Sequence, residues 1–303
     1  MAGMMRERFA TVATELLDEN DRVAVLTADL TAKLFDGARE RHPRRVLNLG
    51  IREQLLISVA GGMALAGMRP IAHSFAPFLI ERPFEQIKLD LNHQAVSAVL
   101  VSAGASYDIA SGGRTHQSPA DVALLSTLAD WTIHVPGHAD EAEAMLRAAV
   151  AGDDRVYLRL SNQTNERPYG TGFHVLRTGD AGTVVAVGPL ADAVLAATEG
   201  LPVTVAYAST VRPFDHDALR AAVGDGADPA VVLVEPYLAG TSVREVDEAL
   251  RDRPHRVLGL GVAQDELRNY GTPRQHAIAH GLGSAGLRRS IVSFLAGGRQ
   301  PTR

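Results

Sequence analysis

The chain has 303 residues, of which 46% are hydrophobic and 21% charged, and its formal net charge is −5. This length accommodates two domains with separate cores, and the mild, unclustered negative charge argues against nucleic acid or an anionic membrane as a partner. The sequence has no cysteine, no signal-peptide pattern and no apolar stretch near the roughly 20 residues that span a bilayer, so we expect a cytoplasmic protein without disulfides or thiolate ligands.

Short apolar runs alternate with longer helical patterns in the first half of the chain. Strands are predicted at Val23 to Leu26, Val96 to Val101 and Val156 to Leu160. Helices are predicted after Glu53 and near Phe84 to Leu91, Ala120 to Leu128 and Ala139 to Val150. Such alternation is typical of a parallel β-sheet with helices on both faces.

A polar stretch from Ser161 to Gly170 interrupts this pattern, and irregular composition continues to Gly182. The alternation then restarts. Strands are predicted at Thr183 to Val187, Val203 to Ala206, Ala230 to Val234 and Arg256 to Leu260. Helices are predicted at Leu190 to Thr198, Asp215 to Val223, Ser242 to Leu250 and Leu287 to Leu295, the third with a capping box formed by Ser242 and Glu245. The sequence therefore predicts an α/β protein with domains at 1–165 and 183–303, joined by a linker at 166–182.

A single carboxylate introduces the first long helix. Glu53 lies in the segment NLGIREQ (48–54), and apolar residues then recur at helical spacing, with Gly61 and Gly62 leaving room for close packing. A carboxylate in that position lies at the surface, is paired with another group, or is poised for chemistry. The residues alone leave these alternatives open.

Two further segments have unusual composition. Residues 74–86 contain much of the aromatic content of the first domain, and residues 111–119 form a glycine-rich loop that carries His116. Ser118, followed by Pro119, is predicted to cap the next helix. Loops that follow sheet strands are where α/β proteins bind ligands, so both segments are candidates for a site.

Several motifs in matching order give the chain a family resemblance. They are LTADLT (26–31), NLGIREQ (48–54), SFAPFLIERPFEQI (74–87), GRTHQSPAD (113–121), VYLRLSNQ (156–163) and YGTPRQH (270–276). With them the chain resembles the C-terminal half of transketolase, most closely the short subunit of transketolases split into two polypeptides. The resemblance implies a pyrimidine-binding parallel-sheet domain at 1–165 and a smaller transketolase C-terminal-like α/β domain at 183–303.

The resemblance implies thiamine diphosphate as the cofactor. Glu53 matches the catalytic glutamate that hydrogen-bonds N1′ of the aminopyrimidine and favours its imino tautomer, which accepts the C2 proton. Phe75 and Phe78 match the aromatic wall around the pyrimidine, and Asp29 matches an aspartate close to the thiazolium. Arg82 is assigned to the same cofactor site, with a purely structural role as the alternative.

The same comparison implies a set of substrate residues. His116 matches a catalytic histidine that faces the reacting carbons and relays a proton or bonds a substrate hydroxyl. Gln117 lies beside it, and Arg6 corresponds to a phosphate-binding arginine near the N-terminus, with a surface arginine as the alternative. Arg114 is unusual for the family, and we expect it to supply positive charge for an acidic substrate.

Other positions depart from the family pattern. Gly112 replaces an aspartate that binds a sugar hydroxyl, Gly104 replaces a substrate histidine, and Asn162 replaces a phosphate-binding arginine. Loss of an arginine clamp removes strong charge-assisted bonds to phosphate. The usual pairing of xylulose 5-phosphate with ribose 5-phosphate is therefore not expected.

The family motif for Mg²⁺ and diphosphate is not found in a suitable context. Gly224-Asp225-Gly226 follows a predicted helix, and the next asparagine, Asn269, is too distant, so we interpret the triplet as a turn. We therefore expect no metal ligand in this chain. A separate diphosphate-binding subunit would hold Mg²⁺, in an α2β2 assembly with sites at the subunit interfaces.

These inferences predict a subunit of a split transketolase-like transferase, which moves a two-carbon ketol unit from a ketose or 2-oxo donor to an aldehyde. One alternative is a pyruvate-using synthase or the β-type subunit of a 2-oxo acid dehydrogenase. An alternative of another class is a non-catalytic assembly or regulatory homologue. That last alternative predicts that Glu53→Gln leaves function intact.

Overall fold

The computed structural model describes residues 5–268 and 270–297. The helices are α1 (Met5–Glu19), α2 (Asp36–Arg41), α3 (Glu53–Leu65), α4 (Phe84–Gln86), α5 (Asp121–Leu125), α6 (Ala139–Ala151), α7 (Ala191–Ala197), α8 (His216–Val223), α9 (Val243–Ala249), α10 (Pro273–Ala279) and α11 (Ser284–Leu295). The strands are β1 (Val23–Thr27), β2 (Val46–Asn48), β3 (Arg69–Phe75), β4 (Val99–Ala103), β5 (Trp131–His134), β6 (Arg155–Arg159), β7 (Phe173–Arg177), β8 (Thr183–Val187), β9 (Thr204–Ala208), β10 (Thr210–Arg212), β11 (Ala230–Leu238) and β12 (Arg256–Val262). Among these residues, no helix is both long and apolar enough to cross a membrane.

The first sheet has seven strands in the order β2-β1-β3-β4-β6-β5-β10. Strands β1 to β6 run parallel, while β10 pairs antiparallel with β5. One face packs on α1 and α6, and the other on α3 and its neighbours. The carboxyl ends of β1, β2, β3 and β4 therefore share one edge, and every segment singled out in the first domain by its composition follows one of these strands.

Strand β3 was not predicted from the sequence because two polar side chains interrupt its apolar pattern. Arg69 is only 2% exposed, and its guanidinium donates two hydrogen bonds to the Ala149 carbonyl at the end of α6. His73 is fully buried, and its Nδ1 is 2.7 Å from the Val101 carbonyl. Each polar group has a distant partner, which is why burial does not exclude it.

The second sheet has five strands in the order β12-β11-β8-β9-β7. The predicted strands of this half correspond to β8, β9, β11 and β12, and all of them pair in parallel. Strand β7 pairs antiparallel with β9 and lies inside the segment predicted to be irregular, so that expectation of an irregular segment up to Gly182 is wrong. The division of the chain at 165 and 183 itself stays a prediction.

Glu141 joins the two halves. Its buried carboxylate accepts the backbone N–H of Gly137 at 2.8 Å and the Tyr207 hydroxyl at 2.5 Å through Oε2. Through Oε1 it accepts the N–H groups of Tyr169 at 2.6 Å and Gly170 at 3.1 Å. A helix of the first half, the connecting segment and a strand of the second half therefore meet at one anion, which fixes their relative position.

The capping box predicted at Ser242 does not form. The Ser242 backbone donates to the buried carboxylate of Glu235 at 3.0 Å, and Glu245 instead lies 2.9 Å from His216. A capping box does occur at Thr272 and Gln275, at the start of α10. Here tertiary partners override a local sequence signal, as buried groups commonly do.

Candidate active site

Glu53 is the first residue of α3 and is 1% exposed. The chain enters the helix through a turn in which Gly50 adopts φ +70° and Asn48 Oδ1 accepts the Gly50 N–H at 3.1 Å. Arg82 donates from Nη1 to Glu53 Oε2 at 2.7 Å, and it is the one side chain among the described residues that hydrogen-bonds to this carboxylate. Of the three readings that the sequence leaves open, the structure therefore excludes the exposed surface carboxylate.

Helix α3 packs closely against the segment that follows the aromatic run. A methyl group on Gly61 would lie 2.5 Å from the Asp90 carbonyl oxygen, so this position has room for glycine alone. Nothing lies within 4 Å of the equivalent point on Gly62. The expected close packing is thus confirmed at Gly61 and is not needed at Gly62.

Asp29 lies at the carboxyl end of β1, beside the turn that leads to Glu53. Its backbone has φ +62° and donates to Asn48 Oδ1 at 3.0 Å, while Asn48 Nδ2 donates to Asp29 Oδ1 at 2.9 Å. Asp29 is exposed, and the structure shows no hydrogen bond or ion pair between it and Glu53. Its role near a thiazolium stays a prediction.

Three rings form an aromatic cluster next to this turn. Phe75 ends β3, and Phe78 follows in a π-helical turn that begins at Pro77. The His116 ring meets both rings edge-on, with centroids 6.0 and 5.1 Å away. The Arg82 guanidinium lies 4.1 Å above the Phe78 ring. Arg82 therefore connects the buried carboxylate to the aromatic cluster, through an ion pair on one side and a cation–π contact on the other.

His116 lies in a loop made of two 3₁₀ turns, Ala110–Gly112 and Arg114–His116. A methyl group on Gly112 would lie 2.8 Å from the His116 ring, so no side chain fits there. Gly113, with φ +69°, would bring a methyl group within 2.7 Å of Tyr270. The His116 ring thus leaves room only for glycine at position 112, and the Tyr270 ring does the same at position 113. An aspartate at position 112 would clash with the His116 ring.

Gly104 has the same character. Its φ is +69°, and a methyl group would lie 2.6 Å from Ile109 Cδ1 and 3.1 Å from Phe75 Cδ1. An apolar side chain therefore fills the space next to the aromatic cluster where the resemblance leads one to look for a histidine.

Of the remaining predicted substrate residues, Arg114 and Arg6 have side-chain partners of their own, and Gln117 has none within the described part of the chain. The Arg114 guanidinium lies 3.2 Å from Glu266 Oε1 and 3.0 Å from the Gln117 carbonyl. Gln117 is 9% exposed, and its Nε2 has no hydrogen-bond partner among the described residues. Arg6 pairs with Glu7 at 3.7 Å on α1, and the structure shows no contact between it and the aromatic cluster. All three stay predictions as substrate residues.

A buried polar network that was not predicted supports the loop. Arg159 Nε donates to Asp121 at 2.7 Å, and Tyr157 donates to the same oxygen at 2.7 Å. Arg159 Nη2 also donates to Ser106 Oγ at 2.7 Å, and the Ser106 hydroxyl in turn donates to the Pro236 carbonyl. The arginine on an apolar strand was the signal in the sequence, because a buried guanidinium needs a carboxylate partner.

The prediction that Ser118 caps α5 is wrong. Helix α5 begins at Asp121 after Ala120, and Ser118 Oγ donates instead to Glu81 Oε1 at 2.8 Å. Burial raises the pKa of the Glu81 carboxyl, and the Ser118 hydrogen bond opposes this effect. The hydroxyl thus ties the His116 loop to the aromatic segment.

His73 is a further residue whose place in the site region was not predicted. Burial, followed by the charge of Arg6, lowers the pKa of His73 to about 4, although the hydrogen bond to Val101 opposes this. The ring is therefore neutral, and because its Nδ1 donates to the Val101 carbonyl, Nε2 accepts from the Thr31 hydroxyl at 2.9 Å. His73 holds the loop that carries Asp29 against the sheet.

The geometry has a definite chemical meaning. A buried carboxylate with one oxygen engaged by Arg82 can accept a hydrogen bond from a protonated ring nitrogen through its other oxygen, and the neighbouring aromatic edges can enclose a flat ring. Over residues 5–268 and 270–297 there is no group of three or more His, Asp or Glu side chains arranged to hold a metal ion.

Comparisons with known proteins point the same way. The family model described as "Transketolase, pyrimidine binding domain" matches residues 2–167, more than half of the chain. A protein of Rhodococcoides fascians described as "Uncharacterized 33.6 kDa protein in fasciation locus" is 50% identical over 291 residues, which cover 95% of this chain and 93% of that protein. The "6-deoxy-6-sulfo-D-fructose transketolase subunit SqwH" of Clostridium sp. is 30% identical over 241 residues, 74% of each chain.

A solved structure described as "Split gene transketolase, inactive beta4 tetramer" superposes on this chain with a TM-score of 0.84 at 27% identity. The match covers 98% of this chain and 100% of the chain in that structure. Together with the sheet order and the position of Glu53, these matches confirm the predicted fold class. The chain belongs to the transketolase family and consists of the pyrimidine-binding and C-terminal domains, as in the short subunit of split transketolases.

Proposed function

We propose that this chain is the catalytic, pyrimidine-binding subunit of a two-polypeptide enzyme that transfers a two-carbon ketol unit from a ketose or 2-oxo donor to an aldehyde. Family membership implies thiamine diphosphate as the cofactor. The observation that carries the proposal is the buried carboxylate of Glu53 beside an aromatic cluster that includes His116.

The residues present fit the pyrimidine end of that cofactor. Glu53 has a carboxylate oxygen free for a ring nitrogen, while the rings of Phe75 and Phe78, 6.1 Å apart and 74° from parallel, provide a face and an edge for an aromatic ring. When bound, thiamine diphosphate supplies a nucleophilic carbon and an electron sink for the bond that is cleaved. Glu53 would hold the proton at the pyrimidine nitrogen, and the two phenylalanines would exclude water.

His116 is the candidate for proton transfer to the substrate. Thr115 Oγ1 lies 3.0 Å from its Nδ1 and also donates to the Gly112 carbonyl at 3.3 Å, so the hydroxyl oxygen is left to accept from Nδ1. The ring is thus oriented with Nε2 available for a substrate oxygen. The edge-on contacts with Phe75 and Phe78 keep it in that orientation.

We assign Mg²⁺ and diphosphate binding to a separate subunit. Gly224-Asp225-Gly226 lies in a turn after α8, where the Gly224 carbonyl accepts a hydrogen bond from Arg253, and the described residues include no group of His, Asp or Glu side chains arranged to hold a metal ion there. Asn269, the other half of that sequence motif, lies outside the described residues.

Exposed apolar side chains around Glu53 suit a partner. Ile51 is 68% exposed and Leu55 43% exposed, at the turn before α3 and in its first turn, and Leu89 is 43% exposed on the segment that packs against α3. Large apolar side chains grouped in this way are typical of protein–protein interfaces. We propose that the diphosphate-binding subunit covers them in a cytoplasmic α2β2 complex.

We propose a donor substrate without a terminal phosphate, because the usual arginine contact to such a phosphate is missing. At the end of β6, the Asn162 backbone donates to the Asp108 carboxylate at 2.7 Å, and the Ser161 hydroxyl donates to the same group. A carboxylate therefore stands beside the residue that replaces the expected arginine, and repulsion disfavours a phosphate there. Among the relatives, one is named as a 6-deoxy-6-sulfo-D-fructose transketolase subunit, which supports the proposal, and another as an apulose-4-phosphate transketolase subunit, which does not.

The test is reconstitution. The chain is co-expressed with a diphosphate-binding transketolase subunit from the same genome, and thiamine-diphosphate-dependent transfer is measured with phosphorylated ketoses, unphosphorylated ketoses and pyruvate as donors. We expect turnover that requires both polypeptides and favours a donor without a terminal phosphate. Tight binding of Mg²⁺–thiamine diphosphate by this chain alone would contradict the two-subunit proposal, and pyruvate consumption without ketose cleavage would favour the synthase or dehydrogenase alternative.

A further inference from the structure

The segment YGTPRQH (270–276) belongs to the second domain but reaches the loop that carries His116. The Tyr270 ring lies against the Cα of Gly113, so closely that a methyl group there would be 2.7 Å from Cε1 and 3.2 Å from Cδ1. Gly112, the preceding residue, meets the His116 ring in the same way. Two glycines thus separate a ring of the second domain from the candidate catalytic ring of the first.

A buried contact anchors this arrangement. His276, 3% exposed, stacks on Tyr107 of the His116 loop with ring centroids 5.7 Å apart and planes 16° from parallel. Its Nε2 donates to the Tyr270 carbonyl at 2.9 Å. His276 therefore packs against Tyr107 with its ring and fixes the backbone of Tyr270 with its nitrogen. The segment between Tyr107 and Gly113 is thus contacted at both ends by neighbouring residues of the second domain.

A second contact crosses the domains but contributes less. The Arg114–Glu266 ion pair spans 3.2 Å, and its side chains are 52% and 67% exposed, so water screens it. Below the loop lies a cavity of about 160 Å³, lined by residues that include Gln117, Leu238 and His280. Close packing does not support the loop from this side, so the ring contacts at its rim add to the support that Arg159 and Ser118 provide.

We propose that Tyr270 and His276 are positioning residues, which hold the His116 loop in its catalytic conformation from the second domain. Tyr270 acts through Gly113 by packing of its ring, and His276 acts through Tyr107 and the Tyr270 backbone. The inference deepens the proposed function and rests on it for the catalytic role of His116, but the contact it describes can be tested on the chain alone.

The test uses Tyr270→Ala, because the ring is 66% exposed and we expect its removal to leave the fold intact. Hydrogen exchange of the full chain is measured at the amides of residues 112, 113, 116 and 117, which donate within the two turns. We expect exchange there to accelerate about tenfold in Tyr270→Ala, with the thermal midpoint unchanged. In the reconstituted complex we expect substrate KM to rise about fivefold while kcat changes less than twofold, because the His116 ring is misplaced before substrate binds.

Two variants serve as controls. Tyr270→Phe keeps the ring and should restore both exchange and KM, whereas Ile278→Ala removes an exposed side chain (62%) from α10 and should behave as the wild type. The inference is wrong if Tyr270→Ala exchanges as the wild type does, if Tyr270→Phe fails to rescue, or if KM rises without any change in exchange, which would indicate direct contact of Tyr270 with substrate. A wild-type complex without transferase activity would contradict the proposed function, while the exchange measurements would still decide the inference.

Discussion

The Glu53 carboxylate and the Arg82 guanidinium are 2.7 Å apart, although Glu53 begins α3 and Arg82 follows the helical turn that starts at Pro77. The Glu53 side chain is 2% exposed and the Arg82 side chain is 37% exposed. The pair gives a cationic partner to a carboxylate that has almost no contact with water. It also places a cation between the carboxylate and the Phe78 ring. The candidate proton-holding group is thus positioned before any ligand arrives.

This pair predicts a non-additive effect on stability. Arg82→Ala leaves a buried carboxylate without its partner, and we expect it to lower the free energy of unfolding by about 1 to 2 kcal/mol, a figure reduced by the partial exposure of Arg82. Glu53→Gln in that background should recover most of the loss, since a neutral amide needs no cation. Urea denaturation of the double-mutant cycle measures the coupling, and Arg22→Ala, which breaks the exposed pair with Asp153, is the control. Simple addition of the two losses would contradict the pairing.

His116 predicts a catalytic effect without a stability effect. The half-buried ring is held by edge contacts and carries no buried hydrogen bond, so His116→Ala should leave the thermal midpoint within a few degrees of the wild type. In the reconstituted complex we expect kcat/KM to fall about 100-fold, the usual size of a lost proton-transfer group. His174→Ala, at an exposed histidine of the edge strand β7, is the control and should have wild-type activity. Full activity of His116→Ala would remove this residue from the mechanism.

Glu141 predicts a large loss of stability. Glu141→Ala removes the acceptor for the Tyr207 hydroxyl and for three backbone N–H groups in the interior. Unsatisfied buried donors are costly, so we expect a loss of about 3 kcal/mol or more, against about 1 kcal/mol for Tyr207→Phe. Glu143→Ala, on the same helix but in a solvent-accessible ion-pair network, should cost less than about 1 kcal/mol. Equal losses for Glu141→Ala and Glu143→Ala would show that the junction does not depend on this carboxylate.

Glu235 predicts a pH dependence of stability. Burial raises the pKa of the Glu235 carboxyl to about 7, despite hydrogen bonds from Ser242 and Gly240 that oppose the shift. The folded chain therefore binds this proton more tightly than the unfolded chain, and the contribution to stability falls as pH rises from about 4.5 to 7. Between pH 5 and pH 8 we expect Glu235→Gln to gain about 2 kcal/mol relative to the wild type. Denaturation at the two pH values measures this, and a constant difference would refute it.

The first half of the fold shows where periodicity succeeds and where it fails. Strands β1, β4 and β6 are short apolar runs, and the sequence predicts them because burial on both faces leaves that pattern. Strand β3 escapes prediction because Arg69 and His73 are satisfied by Ala149 and Val101, residues that are distant in sequence. Strand β10 escapes because it is short and pairs with the first sheet from the second half of the chain.

The sequence by itself determined the fold class and the family, because several motifs occur in the order typical of the family, and that resemblance implies the candidate catalytic groups. Glu53, Phe75 and His116 could be named before their surroundings were known. Only the tertiary structure decided which partners they have, since Arg82 on Glu53 and Tyr270 on Gly113 are joined by folding and not by spacing. A buried charge or a close backbone approach is settled by what packs against it, and that neighbour can come from any part of the chain.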